Sequence, residues 1–408
     1  MDKTSLKETE KQTLETFKKH RPSEYFSHKI DNSQNYFRDH DERVENLYRF
    51  GLTFPPEVFD GRSLIDLGCG TGEHTVSLAR WGAICTLVEM NADALNVARH
   101  VFSSFTKNAG RHTFINSSLF DLDLDRLRGR FDIAHSRGVF THVADKRLAF
   151  EILTELAKPG GYVIYGDRNT SGGVQEMLQR YAIYRLGGQS DEKIVETAEV
   201  LFSKDIDRSQ QAVPRTREAI IFDRWVIQQQ DDPSIKDVFK FFDSKGIKFI
   251  SSWPRIDFLG RGSSTFSNPY HPNHIIRGSG LIESIWMILN EGEEENLSSF
   301  ENFGNPDFFS AVADMSSLLR NLRYDSLPDY NLLGQKVSNA RDALSDGLVL
   351  DRLLLRFRVF FEEVVTFLEM IDSGESLPRI RDTIDSFSIL FQGFSGVRHV
   401  DYVGYKPL

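Results

Sequence analysis

Hydrophobic and polar positions divide the chain into three regions. Residues 1–55 are polar, with helical patterns at 4–20 and 39–50. Between residues 60 and 167, short apolar runs alternate with amphipathic segments, which predicts buried strands joined by helices. Beyond residue 170 the patterns are mostly helical, although an amphipathic helix at 235–246 is followed by one more predicted strand at 247–252.

The alternating region predicts a parallel sheet. Parallel strands need a crossover connection, which is usually a helix and right-handed. The predicted fold class is therefore α/β, with a doubly wound Rossmann-like sheet. The apolar runs place its strands at 63–67, 83–89, 112–117, 131–136 and 162–166, and its helices at 73–81, 92–105 and 146–157.

Composition and charge narrow the class of protein. The chain has 408 residues, of which 40% are hydrophobic, and 49 Lys and Arg against 59 Asp and Glu give a net charge of −10. An acidic chain without a basic, aromatic-rich stretch is not expected to bind nucleic acid. Two cysteines exclude a disulfide framework and a cysteine-rich zinc site. No segment resembles a signal peptide or an apolar span of about 18 residues, so we expect a cytoplasmic protein without a membrane partner.

A glycine-rich turn carries the first chemical signal. The sequence Leu-Ile-Asp-Leu-Gly-Cys-Gly-Thr-Gly at 64–72 runs from an apolar strand into a turn before a helix. Glycines let the backbone approach a ligand closely. Asp66 at the strand end is able to accept hydrogen bonds from a ligand amine or hydroxyl. The spacing G-x-G-x-G differs from the G-x-G-x-x-G of dehydrogenases, so a dehydrogenase is disfavoured.

Glu89 ends the second predicted strand. An acid at this position of a doubly wound sheet binds the two hydroxyls of a ribose. Its separation from Asp66 is close to the roughly 20 residues that such sites use. An adenosine-type ligand is therefore expected across the strand ends.

Residues 60–170 resemble the class I S-adenosylmethionine-dependent methyltransferases. The segment from Asp66 to Gly72 is similar to the family's first motif, Phe131–Ser136 to the fourth and Lys158–Gly161 to the fifth. The resemblance implies S-adenosyl-L-methionine as the cofactor, with Glu89 on the ribose and Met90 beside the adenine. It implies cofactor contacts by Asp66, Gly68, Cys69, Gly70, Gly72, Glu89, Met90, Ser118, Leu119 and Ser136. One departure is that the family often has an aspartate on the adenine amine, where this chain reads Asn-Ser-Ser-Leu at 116–119; Ser118 or backbone atoms would substitute.

The same resemblance implies methyl transfer by in-line displacement, here to a small-molecule O or N acceptor. Positioning supplies most of the acceleration, and a general base is needed only for an acceptor that is protonated at the working pH. His142 is the preferred base, the alternative being a helix cap or a water ligand, and Arg137 lies beside it as a second catalytic candidate. His135 is expected to be a core histidine.

Acceptor-binding candidates lie beyond the fifth strand. They are Arg168, Asp223, Arg224, Trp225 and His271. For Asp223 to Trp225 the alternative is an ion pair beside a core tryptophan. For His271, in the Tyr-His-Pro-Asn-His loop at 270–274, the alternatives are a substrate lid or a surface loop. No metal site is expected there, because H-x-x-H has no cysteine or acid nearby.

The segments are assigned as follows. Residues 1–55 form an N-terminal helical segment over the cofactor, with Tyr36 and Phe37 as lid or core aromatics. Residues 56–290 form the methyltransferase domain, with acceptor-site elements after 170. Residues 291–392 form a helical insertion, and residues 393–408 contain a last strand that returns to the sheet. The alternative to both assignments is a separate helical domain with a tail strand.

An apolar stripe on the predicted helix at 350–371 leaves two alternatives for the insertion. The stripe either packs within the insertion or forms a homodimer interface. Two other functions also stay open. An RNA or protein methyltransferase needs a basic rim around the strand ends, and a non-catalytic S-adenosylmethionine-binding module would use the insertion for partner contacts.

Overall fold

A seven-stranded sheet forms the centre of the molecule. The computed structural model describes residues 3–19, 33–188, 190–212, 216–256, 272–289, 305–344, 351–393 and 397–408. The strands are β1 (Ser63–Leu67), β2 (Ile84–Glu89), β3 (Thr113–Asn116), β4 (Phe131–Arg137), β5 (Ala157–Arg168), β6 (Lys248–Trp253) and β7 (His399–Tyr405). Their order in the sheet is β3-β2-β1-β4-β5-β7-β6.

Strand direction and order create a crevice at one edge of the sheet. Strands β1 to β5 are mutually parallel, and β7 is antiparallel to both of its neighbours, β5 and β6. From β1 the chain builds outward through β2 and β3 on one side and through β4 and β5 on the other. The helices that follow β1 and β4 therefore lie on opposite faces of the sheet, and the crevice between them opens at the carboxyl edge, where doubly wound folds bind their ligands. The predicted α/β fold class is confirmed.

Helices cover the sheet and extend beyond it. The first group is α1 (Lys3–Lys19), α2 (Ser33–Asn46), α3 (Thr75–Arg80), α4 (Ala92–Phe105), α5 (Leu124–Leu127), α6 (Lys146–Leu156) and α7 (Val174–Gly187). The second is α8 (Asp191–Leu201), α9 (Ser203–Ala212), α10 (Arg217–Ile221), α11 (Ile235–Ser244), α12 (Pro272–Ile288), α13 (Pro306–Leu319), α14 (Tyr330–Asp342), α15 (Asp351–Asp372) and α16 (Leu377–Ile384).

Each face of the sheet has its own hydrophobic core. Ile65 and Leu67 of β1 point into a core that includes α6 and α11, while Leu64, which precedes them, points into the core of α3 and α4. A strand that is buried on both faces reads as a continuous apolar run. This is why β1, β2, β4 and β5 are visible in the sequence.

A third core fills the helical region, and it draws on two segments of the chain. Its buried side chains come from residues 174–226 and from residues 281–391. Helix α15 contributes Phe357, Phe361 and Val364, all fully buried. The apolar side of this helix therefore packs within the same chain, so the stripe no longer supports a homodimer.

The N-terminal segment contacts the sheet domain in two different ways. Phe37 of α2 is buried and stacks on Phe105, with ring centroids 4.2 Å apart, so it is a core residue, whereas Tyr36 is exposed. Helix α1 lies over the loop after β3, where Lys7 pairs with Asp121. Within the described ranges, no helix is long and apolar enough to span a membrane.

Candidate functional site

A cavity of about 420 Å³ opens at the carboxyl edge of the sheet. Its walls are the segments that follow each of the parallel strands β1 to β5, and α1 closes one side of it. This volume is within the range of small-molecule and cofactor sites. The side chains that carry chemistry in its walls are Glu10, Glu73, His74, Glu89, Arg137, Thr141, His142, Arg168, Asp223 and His399.

The glycine-rich turn after β1 forms the floor of the cavity. Gly68 has a φ of +73°, and a Cβ built there would lie 2.6 Å from the Val139 side chain in the loop after β4. Gly70 has a φ of +54°, and nothing lies within 4 Å of a Cβ built there. The turn therefore brings the β1 and β4 loops together and leaves bare backbone toward the cavity.

Glu89 presents a fixed carboxylate at the end of β2. Its Oε1 accepts a hydrogen bond from the Asn91 amide at 2.8 Å, and its Oε2 accepts one from the Gly70 amide at 3.0 Å. Burial raises the pKa of Glu89, while these two backbone bonds act in the opposite direction. Each carboxylate oxygen keeps further acceptor capacity. The pair of oxygens is therefore suited to two neighbouring hydroxyl groups.

The wall beside β3 contains a carboxylate from α1. Met90, Ser118 and Leu119 line the cavity here, and Ser118 Oγ donates to the Glu10 carboxylate. Ser118 Oγ also accepts from the Phe120 amide at 3.1 Å. An acid therefore does lie near the end of β3, but it comes from the first helix.

His142 lies on the opposite wall, after β4. Its Nδ1 is 2.8 Å from the Gln229 carbonyl oxygen, which can only accept, so Nδ1 carries the hydrogen. Burial lowers the pKa of His142, although the Asp223 carboxylate raises it. The neutral ring therefore keeps Nε2 as a bare proton acceptor. Phe17 of α1 packs edge-on against this ring, with centroids 5.5 Å apart.

Two arginines complete the wall near β5 and β7. Arg137 Nε donates to Asp401 Oδ1 at 2.8 Å, and Arg168 pairs with the fully buried Glu176. Burial alone would raise the pKa of Asp401, but the charges of Arg137 and His399 hold it well below its usual range. Both arginines line the cavity while anchored by acids, so their guanidinium groups are held in place.

Comparison with known proteins places this site in a family. The sequence model of a methyltransferase domain matches residues 59–219, which contain the glycine-rich turn, Glu89 and the strands that carry them. Residues 59–219 match a methyltransferase domain, and their motifs resemble the class I S-adenosylmethionine-dependent family. The cofactor of this family is S-adenosyl-L-methionine.

Curated relatives share part of this domain. The ubiquinone biosynthesis O-methyltransferase of Erwinia tasmaniensis is 29% identical over 147 residues, which is 35% of this chain and 58% of that protein. Proteins of the same name are 30% identical over 36% of the chain in Vibrio parahaemolyticus and 35% identical over 27% of it in Alkalilimnicola ehrlichii. The chain spans 63% and 43% of those two proteins. A crystal structure of an S-adenosylmethionine-dependent methyltransferase from Mesorhizobium loti aligns with 28% of the chain and 49% of its own, at 23% identity and a TM-score of 0.25.

The residues present fit S-adenosylmethionine. The Glu89 carboxylate is half-buried and fixed by two backbone amides, and Gly70 leaves space where a side chain would stand. Seven of the predicted cofactor residues line the cavity: Gly68, Cys69, Gly70, Glu89, Met90, Ser118 and Leu119.

Three predicted cofactor residues are corrected by the structure, because they do not line the cavity. Asp66 is buried, with its oxygens bonded to His135 Nδ1 and Thr75 Oγ1. Gly72 lies under α4, where a Cβ would be 3.0 Å from Ala98. Ser136 is buried, and its hydroxyl donates to the Leu67 carbonyl. All three support the cavity floor from the side that faces away from the cavity.

The predicted catalytic and acceptor-binding residues also divide into those that line the cavity and those that do not. Arg137, His142, Arg168 and Asp223 line the cavity. Arg224 and Trp225 do not, which corrects that prediction: Arg224 donates to Asp205 and Ser209 at 2.6 Å each, and the Trp225 side chain is fully buried in the helical core. His271 lies outside the described residues. His135 is a buried core histidine, as predicted.

Sequence reasoning missed several residues of the site. Glu10 and Phe17 come from a polar helix whose pattern does not specify what it covers. His399 reaches the cavity because the antiparallel register pairs it with Arg168. His74 is two residues beyond the glycine-rich motif, and this proximity is its one signal in the sequence.

Proposed function

We propose that this chain transfers a methyl group from S-adenosylmethionine to a small-molecule O or N acceptor. The observation that carries the proposal is that Glu89 and His142 line one cavity, so a nucleoside-binding carboxylate and a proton acceptor serve the same small volume. The small volume of the cavity supports a small acceptor over a macromolecule. The names of the curated relatives, which are O-methyltransferases, support an oxygen acceptor.

The chain's own residues have three tasks in this reaction. When bound, S-adenosylmethionine supplies an electrophilic methyl group. Glu89 accepts hydrogen bonds from the ribose hydroxyls and so fixes the orientation in which that methyl group is presented. Arg137, Arg168 and Asp223 form the polar wall against which the acceptor is oriented.

His142 is the proton acceptor in this proposal. Its Nδ1–H stays bonded to the Gln229 carbonyl, so Nε2 would accept the hydrogen of an acceptor hydroxyl to which the bound cofactor supplies its methyl group. Phe17 and the rest of α1 exclude water from this side of the cavity. An amine acceptor that is already neutral would need the orientation but not the base.

A transfer assay with methyl-labelled cofactor tests this function. The protein is incubated with a cell extract that has been separated into small-molecule, protein and RNA fractions. We expect label to enter the small-molecule fraction with the wild type and not with Glu89→Ala. Label on protein or RNA would favour a macromolecular acceptor, and cofactor binding without transfer to any fraction would favour a non-catalytic binding module.

A further inference from the structure

Asp66 cannot reach the cavity that its sequence position suggests. It is 3% exposed, and it lies behind the glycine-rich turn. Its Oδ1 is 2.7 Å from His135 Nδ1, and its Oδ2 accepts from the Thr75 hydroxyl. Both oxygens are therefore engaged by neighbouring side chains away from the cavity.

A chain of buried polar groups leads from Asp66 back to the cavity wall. The Tyr48 hydroxyl is 3.1 Å from His135 Nε2 and 3.3 Å from His74 Nε2. Tyr48 and His135 are each 1% exposed, whereas His74 is half-buried and lines the cavity. The two imidazole rings are stacked, with centroids 5.6 Å apart. Four side chains from three parts of the chain thus form one hydrogen-bonded series.

The donors and acceptors of this series determine which ring nitrogen of His74 carries a hydrogen. The Asp66 carboxylate only accepts, so His135 Nδ1 carries a hydrogen. Its Nε2 lies 3.1 Å from the Tyr48 hydroxyl, whose pKa burial raises, and in this series Nε2 accepts from that hydroxyl. The Tyr48 oxygen then accepts from His74 Nε2–H. Burial lowers the pKa of His74 well below its ordinary value, so the ring is neutral and its Nδ1 is a bare acceptor.

The cofactor offers one donor that matches this acceptor. S-adenosylmethionine has three kinds of hydrogen-bond donor: its ribose hydroxyls, its adenine amine and its ammonium group. Glu89 is placed for the hydroxyls, and the wall at Ser118 and Glu10 for the amine. The ammonium is left for His74, which follows the glycine-rich turn and neighbours the buried Glu73 carboxylate in the same wall.

We propose that His74 Nδ1 accepts a hydrogen bond from the cofactor's ammonium group, a kind of contact that the sequence position of Asp66 suggests for that residue. Asp66, His135 and Tyr48 are then positioning residues, which fix the tautomer and orientation of His74 without touching the ligand. This inference rests on the proposed function only for the identity of the cofactor.

Calorimetric binding of two ligands tests the proposal. S-adenosylhomocysteine has the ammonium group, whereas methylthioadenosine lacks the whole amino-acid part. We expect His74→Ala to weaken S-adenosylhomocysteine binding by about tenfold or more, the scale of a hydrogen bond to a charged group, and to leave methylthioadenosine binding within about twofold. His74→Asn should restore most of the affinity, because its amide oxygen takes the place of Nδ1.

Tyr48→Phe tests the positioning series without altering a cavity residue. It should weaken S-adenosylhomocysteine by about threefold to tenfold and spare methylthioadenosine, since only the hydrogen bond that orients His74 is lost. Far-ultraviolet circular dichroism checks that each variant is folded. If His74→Ala does not fold, His74→Asn and Tyr48→Phe still test the proposal.

Three results would overturn the inference. Equal weakening of both ligands by His74→Ala would make His74 a structural residue. Unchanged affinity for both ligands, with turnover lost, would place His74 on the acceptor instead. Failure of the folded wild type to bind either ligand would overturn the proposed function itself, and this result is distinguishable because it precedes any variant.

Discussion

Two carboxylates end neighbouring strands of the sheet, but only one of them faces the cavity. Glu89 is held by the backbone amides of Gly70 and Asn91 and keeps acceptor capacity toward a ligand. Asp66, one strand away, is bonded to His135 and Thr75 and is sealed from the ligand. Residue type and position in a motif are thus insufficient to assign a contact. The partners of each oxygen decide it.

His142 carries a prediction on pH at the same scale. Because burial lowers its pKa below the ordinary 6.5, the ring is neutral at neutral pH and loses its function only when the pH falls through that lowered pKa. With a hydroxyl acceptor, turnover should therefore fall on the acid side at a pH below about 6.5. His142→Ala should lower kcat by about a hundredfold or more and abolish this acid limb.

Asp223→Asn is the matched variant for that experiment. The Asp223 carboxylate raises the pKa of His142, so its removal should move the acid limb to lower pH. The measurement is the pH dependence of kcat with an identified acceptor. An acid limb that persists unchanged in His142→Ala would assign the titration to another group.

The loops after β1 and β4 meet at Gly68, and this contact gives an element-scale prediction. Gly68→Ala combines a positive φ with a Cβ only 2.6 Å from Val139, whereas Gly61→Ala combines a similar φ of +68° with open space. The free energy of unfolding in urea should fall by about 3 kcal/mol or more for Gly68→Ala and by about 1 kcal/mol for Gly61→Ala. Adding Val139→Ala to Gly68→Ala should recover part of the loss. Equal losses for the two glycine variants would contradict the close contact.

Elements differ in how far the sequence determines them. Strands β1, β2, β4 and β5 are predictable because burial on both sheet faces and the glycine turns leave a strong pattern. The segment Phe222–Val226 is different: it is a short π-helical turn that directs Asp223 to the cavity and Trp225 into the helical core. Periodicity does not reveal such a turn, so the sequence grouped Asp223, Arg224 and Trp225 together.

At the scale of the whole molecule, the site joins residues that are distant in the chain. Strand β7 lies between β5 and β6, and it brings Asp401 to Arg137 and His399 to the cavity. Helix α1 brings Glu10 and Phe17 to the same cavity from the other end of the chain. The sequence motifs therefore predict seven cavity residues between Gly68 and Leu119, which one continuous segment supplies, but not Glu10 in the same wall. The acceptor half depends on tertiary packing that no local pattern specifies.

The most direct test of the central claim is calorimetric binding of S-adenosylhomocysteine to the wild type, Glu89→Ala and Glu57→Ala. Glu57 is an exposed glutamate paired with Arg49 away from the cavity, which makes it the matched control. We predict that the wild type and Glu57→Ala bind alike and that Glu89→Ala binds about tenfold to a hundredfold more weakly, as expected for lost charged hydrogen bonds. No binding by the folded wild type, or equal binding by Glu89→Ala, would contradict the assignment of this cavity to S-adenosylmethionine.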